Sequence, residues 1–358
     1  MMNFKALALL LAAAPALAFA FEPITVADQG TFTAGGTVKT EPGTYDALHP
    51  SPAGQTVHGD HAAVRYQVPA GARRFPLVFL HGAGQSSRTW ETTADGREGF
   101  ATIFLRAGYP VYLIDQPRRG QAGRSTVPFE MKAAPDDQFW YGQFRIGLWP
   151  AKFEGSQFPK GGEALDRFFR QMTPDTGPWD RDAIASATAA VFDRSGPGIL
   201  VTHSAGGGLG WLAALKTDRI RGVVSYEPGS GFVFPKGEAP EPIENSGYWG
   251  PMKPAEVPLE DFMKLTKYPI VIYYGDNIPK APSSRPHQDY WRAAAKMAKL
   301  WCETVNRHGG QAKVVMLPEA GLRGNTHFPM SDLNNLKVAK LLEAWLAENG
   351  LDAPARAR

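Results

Sequence analysis

The chain has one cysteine, Cys302, in 358 residues, so no disulfide can form within it. Its stability must come from packing. No cluster of His and Cys shows the spacing of a metal centre, so no metal and no cofactor is expected. Charge of one sign is also lacking. Thirty-eight basic residues face 35 acidic ones, for a formal net charge of +3, and this balance argues against a nucleic-acid partner and against binding to an anionic membrane surface. Beyond the first twenty residues no apolar run is long enough to span a bilayer, so no membrane partner is expected either. Internal repeats are absent.

What is present starts with a leader. Lys5 supplies a positive n-region, Ala6 to Ala14 an apolar h-region, and Ala18-Phe19-Ala20 a small-x-small cleavage site. Residues 1–20 therefore read as a secretory signal peptide, and the mature chain is expected in the periplasm or medium of a bacterium. Residues 21–358 read as one domain.

Within that domain, apolar runs alternate with helical patterns. Pro76 to Leu80 and Val111 to Asp115 are continuous apolar strands, as expected where helices cover both faces of a parallel sheet. Ile199 to Val201, Val223 to Tyr226, Pro269 to Tyr274 and Val314 to Leu317 repeat the pattern. Helices are expected from about Arg97 to Ala107, Asp180 to Arg194, His287 to His308 and Met330 to Asn349. The N-terminal stretch to about His61 alternates only weakly and reads as short antiparallel edge strands. The expected fold class is α/β, with a mostly parallel central sheet and helices on both faces.

Two stretches break the alternation, at about 116–178 and about 230–268. Loops of this length inside a compact domain are expected to be functional, so both read as cap insertions over the strand ends. The first carries Phe139, Trp140, Tyr141, Phe144, Trp149, Phe153 and Phe158. These rings either line a pocket for an apolar or aromatic small molecule or pack the cap onto the body. An exposed part of the cap could also pair two subunits as a homodimer.

The chemistry centres on Thr202-His203-Ser204-Ala205-Gly206. A branched apolar strand stops at a serine ringed by small residues, and a helical pattern follows at once. That is the layout of a nucleophile elbow, with threonine in place of the usual first glycine. A serine nucleophile needs a base, an acid to hold the base, and donors for the developing oxyanion. His327 lies between the last strand and the last helix, where the base belongs. Its competitors are less well placed. His203 should point away from the tip, His81 ends a strand beside the Gly82-Ala83-Gly84 turn, and His287 and His308 flank a helix, where they should be solvated. Two carboxylates end neighbouring strands, Glu227 and Asp276, and either could serve as the acid. The donors are expected at the backbone N–H groups of Ala205 and Ala83.

Several blocks taken in order carry a resemblance. They are His81-Gly82-Ala83-Gly84 with Thr89-Trp90-Glu91, Ile114-Asp115-Gln116-Pro117-Arg118-Arg119-Gly120, Thr202-His203-Ser204, Tyr226-Glu227-Pro228-Gly229 and Tyr274-Gly275-Asp276-Asn277. The chain from about Pro76 to the last helix resembles the bacterial esterase 713-like branch of the α/β-hydrolases. The resemblance implies an α/β-hydrolase fold and a Ser-Glu-His triad, carried here by Ser204, Glu227 and His327, with Asp276 as the alternative acid. The family's known example has paired cysteines in the oxyanion loop, where this chain has Ala83-Gly84. The expected function is a secreted serine carboxylesterase acting on a small-molecule ester through an acyl-enzyme. A lactonase or an amidase would use the same residues, and a non-catalytic exported ligand-binding protein would keep the scaffold alone.

Overall fold

The computed structural model describes residues 23–355. The expected signal peptide lies outside the described residues. Eight strands form the central sheet: β1 (Val26–Ala34), β2 (Ala62–Pro69), β3 (Leu77–Leu80), β4 (Val111–Asp115), β5 (Gly198–His203), β6 (Ile220–Tyr226), β7 (Pro269–Tyr274) and β8 (Gln311–Met316). Their spatial order is β1-β2-β4-β3-β5-β6-β7-β8. β2 runs antiparallel to both β1 and β4, and the remaining neighbours are parallel.

The apolar runs follow from this layering. Successive side chains of a strand point to opposite faces. Leu77 and Phe79 of β3 pack on one face while Val78 and Leu80 pack on the other, and all four are buried. β5 repeats this, with Ile199 and Val201 opposite Leu200. One face is covered by α4 (Arg181–Ser195), α5 (Ala205–Leu215) and α6 (Pro286–Arg307). The other is covered by α1 (Phe100–Arg106) and α7 (Asn335–Glu348). Two further helices, α2 (Asp137–Gln143) and α3 (Gly162–Arg170), belong to the stretch between β4 and α4.

The helix ends differ from expectation in two places. α1 starts at Phe100 and α7 at Asn335, three and five residues later than their patterns suggest. Before α7, Thr326 and Asn325 hydrogen-bond to Asp332, which keeps that chain in a loop. α4 begins where Asp180 accepts hydrogen bonds from the N–H groups of Asp182 and Ala183, an N-cap that fixes its start. The N-terminal strand is also longer than expected. β1 runs for nine residues beside β2, and as an outer strand it is only partly buried, which explains its faint alternation.

The stretch 116–178 holds α2, α3 and a two-residue-strand hairpin (Gly147–Leu148 with Ala151–Lys152). The stretch 230–268 holds a short parallel pair, Val233–Pro235 with Ala255–Val257, and a helical turn at Leu259–Phe262.

Candidate active site

β5 delivers Ser204 to the carboxyl end of the sheet, and α5 starts at the next residue. Ser204 has φ 55° and ψ −125°, a conformation that non-glycine residues rarely adopt. Among the described residues six non-glycine residues have positive φ, and three of them, Arg145, Ser204 and Glu227, meet in this region. Strain of about 1–3 kcal/mol per residue persists only where surrounding contacts enforce it. Here the enforcement is close packing. A Cβ on Gly206 would lie 2.5 Å from the His81 carbonyl oxygen, and one on Gly207 would lie 2.6 Å from Pro228 Cβ. A Cβ on Gly82 would come within 2.6 Å of Ser204 Cβ. The glycines, poor helix formers, let α5 and the Gly82 turn close on the serine.

His327 is carried by the loop after β8 and is buried. Its Nδ1 lies 3.3 Å from Glu227 Oε2. Its own N–H donates to the Phe144 carbonyl at 2.9 Å, and the Phe144 ring stacks on the imidazole with centroids 5.5 Å apart. Trp291 of α6 packs on the imidazole at 4.3 Å. Burial, and then the positive charge of Arg145, hold the His327 pKa well below its ordinary 6.5, which keeps the ring neutral and able to accept a proton. Ser204 and His327 line one cavity of about 710 Å³, the size of a small-molecule site.

The two carboxylates have different partners. Glu227 is fully buried; Oε2 faces His327, while Oε1 accepts from Arg145 Nη2 at 2.6 Å and from the Gly275 N–H. Asp276 does not touch the imidazole. Its Oδ1 accepts the Asn277 N–H and its Oδ2 the Gly324 N–H, each at 2.7 Å.

Ala83 and Ala205 also line the cavity, and among the described residues neither N–H meets an acceptor. The Ala83 N–H belongs to the same peptide unit as the Gly82 carbonyl, which is held by two donors. His81 Nδ1 lies 2.9 Å and Arg119 Nη1 3.0 Å from that oxygen. Because the Gln116 N–H donates to His81 Nε2, the His81 proton sits on Nδ1. Burial, then the Arg119 charge, push the His81 pKa down to about 3, so it acts as a neutral strut.

The other histidines resolve as follows. His203 is buried, its Nε2 donates to the His327 carbonyl at 2.8 Å and its ring lies 4.6 Å from the His327 imidazole, so it supports the loop that carries His327. His287 is half-buried rather than solvated, because Phe139 packs on it and Gln143 hydrogen-bonds its Nδ1 at 3.0 Å. His308 faces Glu238 at 3.0 Å. Of the seven cap rings, Trp140 and Phe144 reach the cavity. Tyr141 and Phe158 are buried in the body, and Trp149 is exposed.

Arg145 was missed by sequence reasoning. Its side chain is fully buried, pairs with Glu227, donates from Nε to the Asp276 carbonyl at 2.9 Å, and lies over the Trp291 ring. A lone arginine inside the aromatic run Phe139 to Trp149 was the available signal, since a charge in such a setting is buried only with a partner. Trp291 was missed as well. It lies in the first turns of α6, a position that periodicity alone reads as core.

Among the described residues no group of three or more His, Cys, Asp or Glu side chains is placed to hold a metal ion, and no helix is long and apolar enough to cross a membrane.

The comparisons agree with this architecture. The chain is similar to a probable secreted lipase, phiG, from Fungal sp. (strain ATCC 74256), with 27% identity over 304 residues, covering 76% of this chain and 81% of the relative. Among solved structures it is similar to a bacterial esterase known at atomic resolution, with 28% identity and a TM-score of 0.73, covering 92% of this chain and 98% of the other. The family described as alpha/beta hydrolase matches residues 77–341, a span that runs from β3 into α7. On this match, which takes in most of the sheet, the elbow and the loop of His327, the chain belongs to the alpha/beta hydrolase family.

Proposed function

We propose that the protein is an exported serine carboxylesterase that works through an acyl-enzyme on Ser204. The observation that carries this reading is the pairing of Glu227 with His327 beside a cavity shared with a strained serine. Relatives described as an esterase and a lipase support ester cleavage, and the second is described as secreted.

In the proposed cycle His327 Nε2 takes the proton from Ser204 Oγ as that oxygen attacks the ester carbonyl. The imidazolium that forms is stabilised by Glu227 through Nδ1–H. The N–H groups of Ala83 and Ala205 receive the oxyanion. His327 then gives its proton to the leaving alkoxide, and the alcohol departs. Water, deprotonated by the same imidazole, attacks the acyl-enzyme and frees the acid and Ser204.

The test is turnover of 4-nitrophenyl esters together with labelling by a serine-directed phosphonate. Ser204→Ala should lower kcat by at least about 10⁴-fold and abolish labelling. A variant that keeps most activity overturns the assignment. A panel of esters, lactones and amides then ranks the bonds cleaved. Amino-terminal sequencing of protein recovered from the medium or periplasm tests export, and a mature end after Ala20 is expected.

A further inference from the structure

We infer that the natural substrate is an anionic ester, one that bears a carboxylate in addition to the scissile bond. This rests on the serine-esterase reading above and adds a substrate class to it.

The cavity beside Ser204 has walls of indole and phenyl rings, including Trp140, Phe144, Trp249 and Trp291. Among the described residues only two formally charged side chains line it, Arg181 and Lys253, and both are cationic. No carboxylate of the described residues lines it. Glu227 sits behind His327, engaged with Arg145. The side chains of Arg181 and Lys253 are both exposed, so they are open to an anion that enters. They make no ion pair or hydrogen bond among the described residues.

The position of Arg181 strengthens the case. It is the first residue of α4, where the helix dipole favours acidic side chains. A cation there gains nothing from its own helix. The guanidinium lies against the loop after β6, since a Cβ on Gly231 would come 3.3 Å from Arg181 Nη2 and 2.8 Å from Gly208 Cα. Gly208 is four residues beyond Ser204 on α5, about 6 Å along the helix axis. The charge therefore sits within small-molecule reach of the nucleophile.

Lys253 comes from the stretch 230–268, on a different element from Arg181. Two cations from separate elements converge on one aromatic-walled cavity. Two charges of one sign at the same cavity attract an anion and raise its local concentration. A carboxylate would gain both cations as partners, and its apolar remainder would meet the rings. A neutral ester would leave both cations without a partner.

The experiment compares matched pairs of substrates, with the uncatalysed rate subtracted. Mono-4-nitrophenyl glutarate and adipate are set against their neutral methyl diesters, and 4-acetoxybenzoate against its methyl ester. At least one anionic member should have a kcat/KM about tenfold or more above its neutral mate at low ionic strength. The preference should shrink as salt is raised through the range where charges are screened. Arg181→Gln and Lys253→Gln should each lower the ratio of anionic to neutral kcat/KM. Arg221→Gln, which removes a charge at the opposite end of the sheet, should leave the ratio in place. Neutral esters turned over as fast as every anionic mate, or a ratio indifferent to both cavity variants, would overturn the inference while leaving the esterase reading intact. No turnover of any ester together with no phosphonate labelling would overturn both.

Discussion

Glu227 and Asp276 invite comparison because both follow parallel strands that are neighbours in the sheet, β6 and β7. Both lie beside the loop that carries His327, yet they act on different parts of it. Asp276 holds the loop's main chain, taking the Gly324 N–H on its carboxylate and giving its own N–H to the Asn325 carbonyl. Glu227 holds the ring. One carboxylate sets where the histidine's backbone runs, and the other sets how the imidazole faces. Position at a strand end does not separate these roles. The side-chain partners do.

The sharpest way to break the contrast is to neutralise each acid in turn. Glu227→Gln should reduce kcat by about 10³–10⁴-fold, the size of effect seen when a triad acid no longer fixes the tautomer. Asp276→Asn keeps one acceptor oxygen and should stay within about tenfold of the parent on 4-nitrophenyl butyrate, with stability lower by about 1–2 kcal/mol in urea melts. The reverse ranking would move the acid to β7.

Arg145 is next in expected size, because it touches both regions, Glu227 through its guanidinium and the Asp276 carbonyl through Nε. Arg145→Met leaves the Glu227 carboxylate buried with one partner fewer. A stability loss of about 3–5 kcal/mol is expected by thermal or urea unfolding, with kcat for the folded fraction down about 10–100-fold as the acid loses its seat. Arg145→Lys should recover part of both.

The same residue sharpens the comparison through pH. In the parent enzyme His327 is held below its ordinary 6.5 by burial and by Arg145, so protonation sets in only at lower pH. The acid limb of kcat/KM should therefore fall below pH 6.5. Removing the cation favours the imidazolium, so Arg145→Met should shift that limb toward higher pH, whereas Asp276→Asn should leave it in place. A merely structural Arg145 would change stability without moving the limb.

The smallest expected effect concerns the Gly82-Ala83-Gly84 turn, proposed above to receive the oxyanion. Arg119 holds the Gly82 carbonyl and pairs with Asp175. Arg119→Met leaves His81 as that carbonyl's remaining side-chain partner. A loss of about tenfold in kcat with little change in KM is expected, measured at saturating substrate.

Much of this was legible before any coordinates. The buried strands read as apolar runs because both faces of the sheet are covered, and Ser204 was marked by small residues that the packing around α5 requires. The order serine, acid, histidine pointed to the chemistry proposed above. What could not be read were contacts between distant side chains. Glu227 and Asp276 looked alike because the difference lies in Arg145, 82 residues before Glu227 and on another element. The cavity's charge was hidden for the same reason, since Arg181 and Lys253 are unremarkable where they stand in the chain. The rings of the cap could not be sorted by pattern, because Trp140 and Tyr141 adjoin in sequence and face different surroundings.

The glycines at the start of α5 also limit how this scaffold can be altered. Side chains added at 206, 207 or 208 would collide with main chain or with Pro228, so that wall of the site offers an engineer no room. Trp249, Pro251 and Lys253, from the stretch 230–268, line the same cavity. Libraries aimed at new acids or alcohols belong there, where bulk can change without disturbing the bend that presents Ser204.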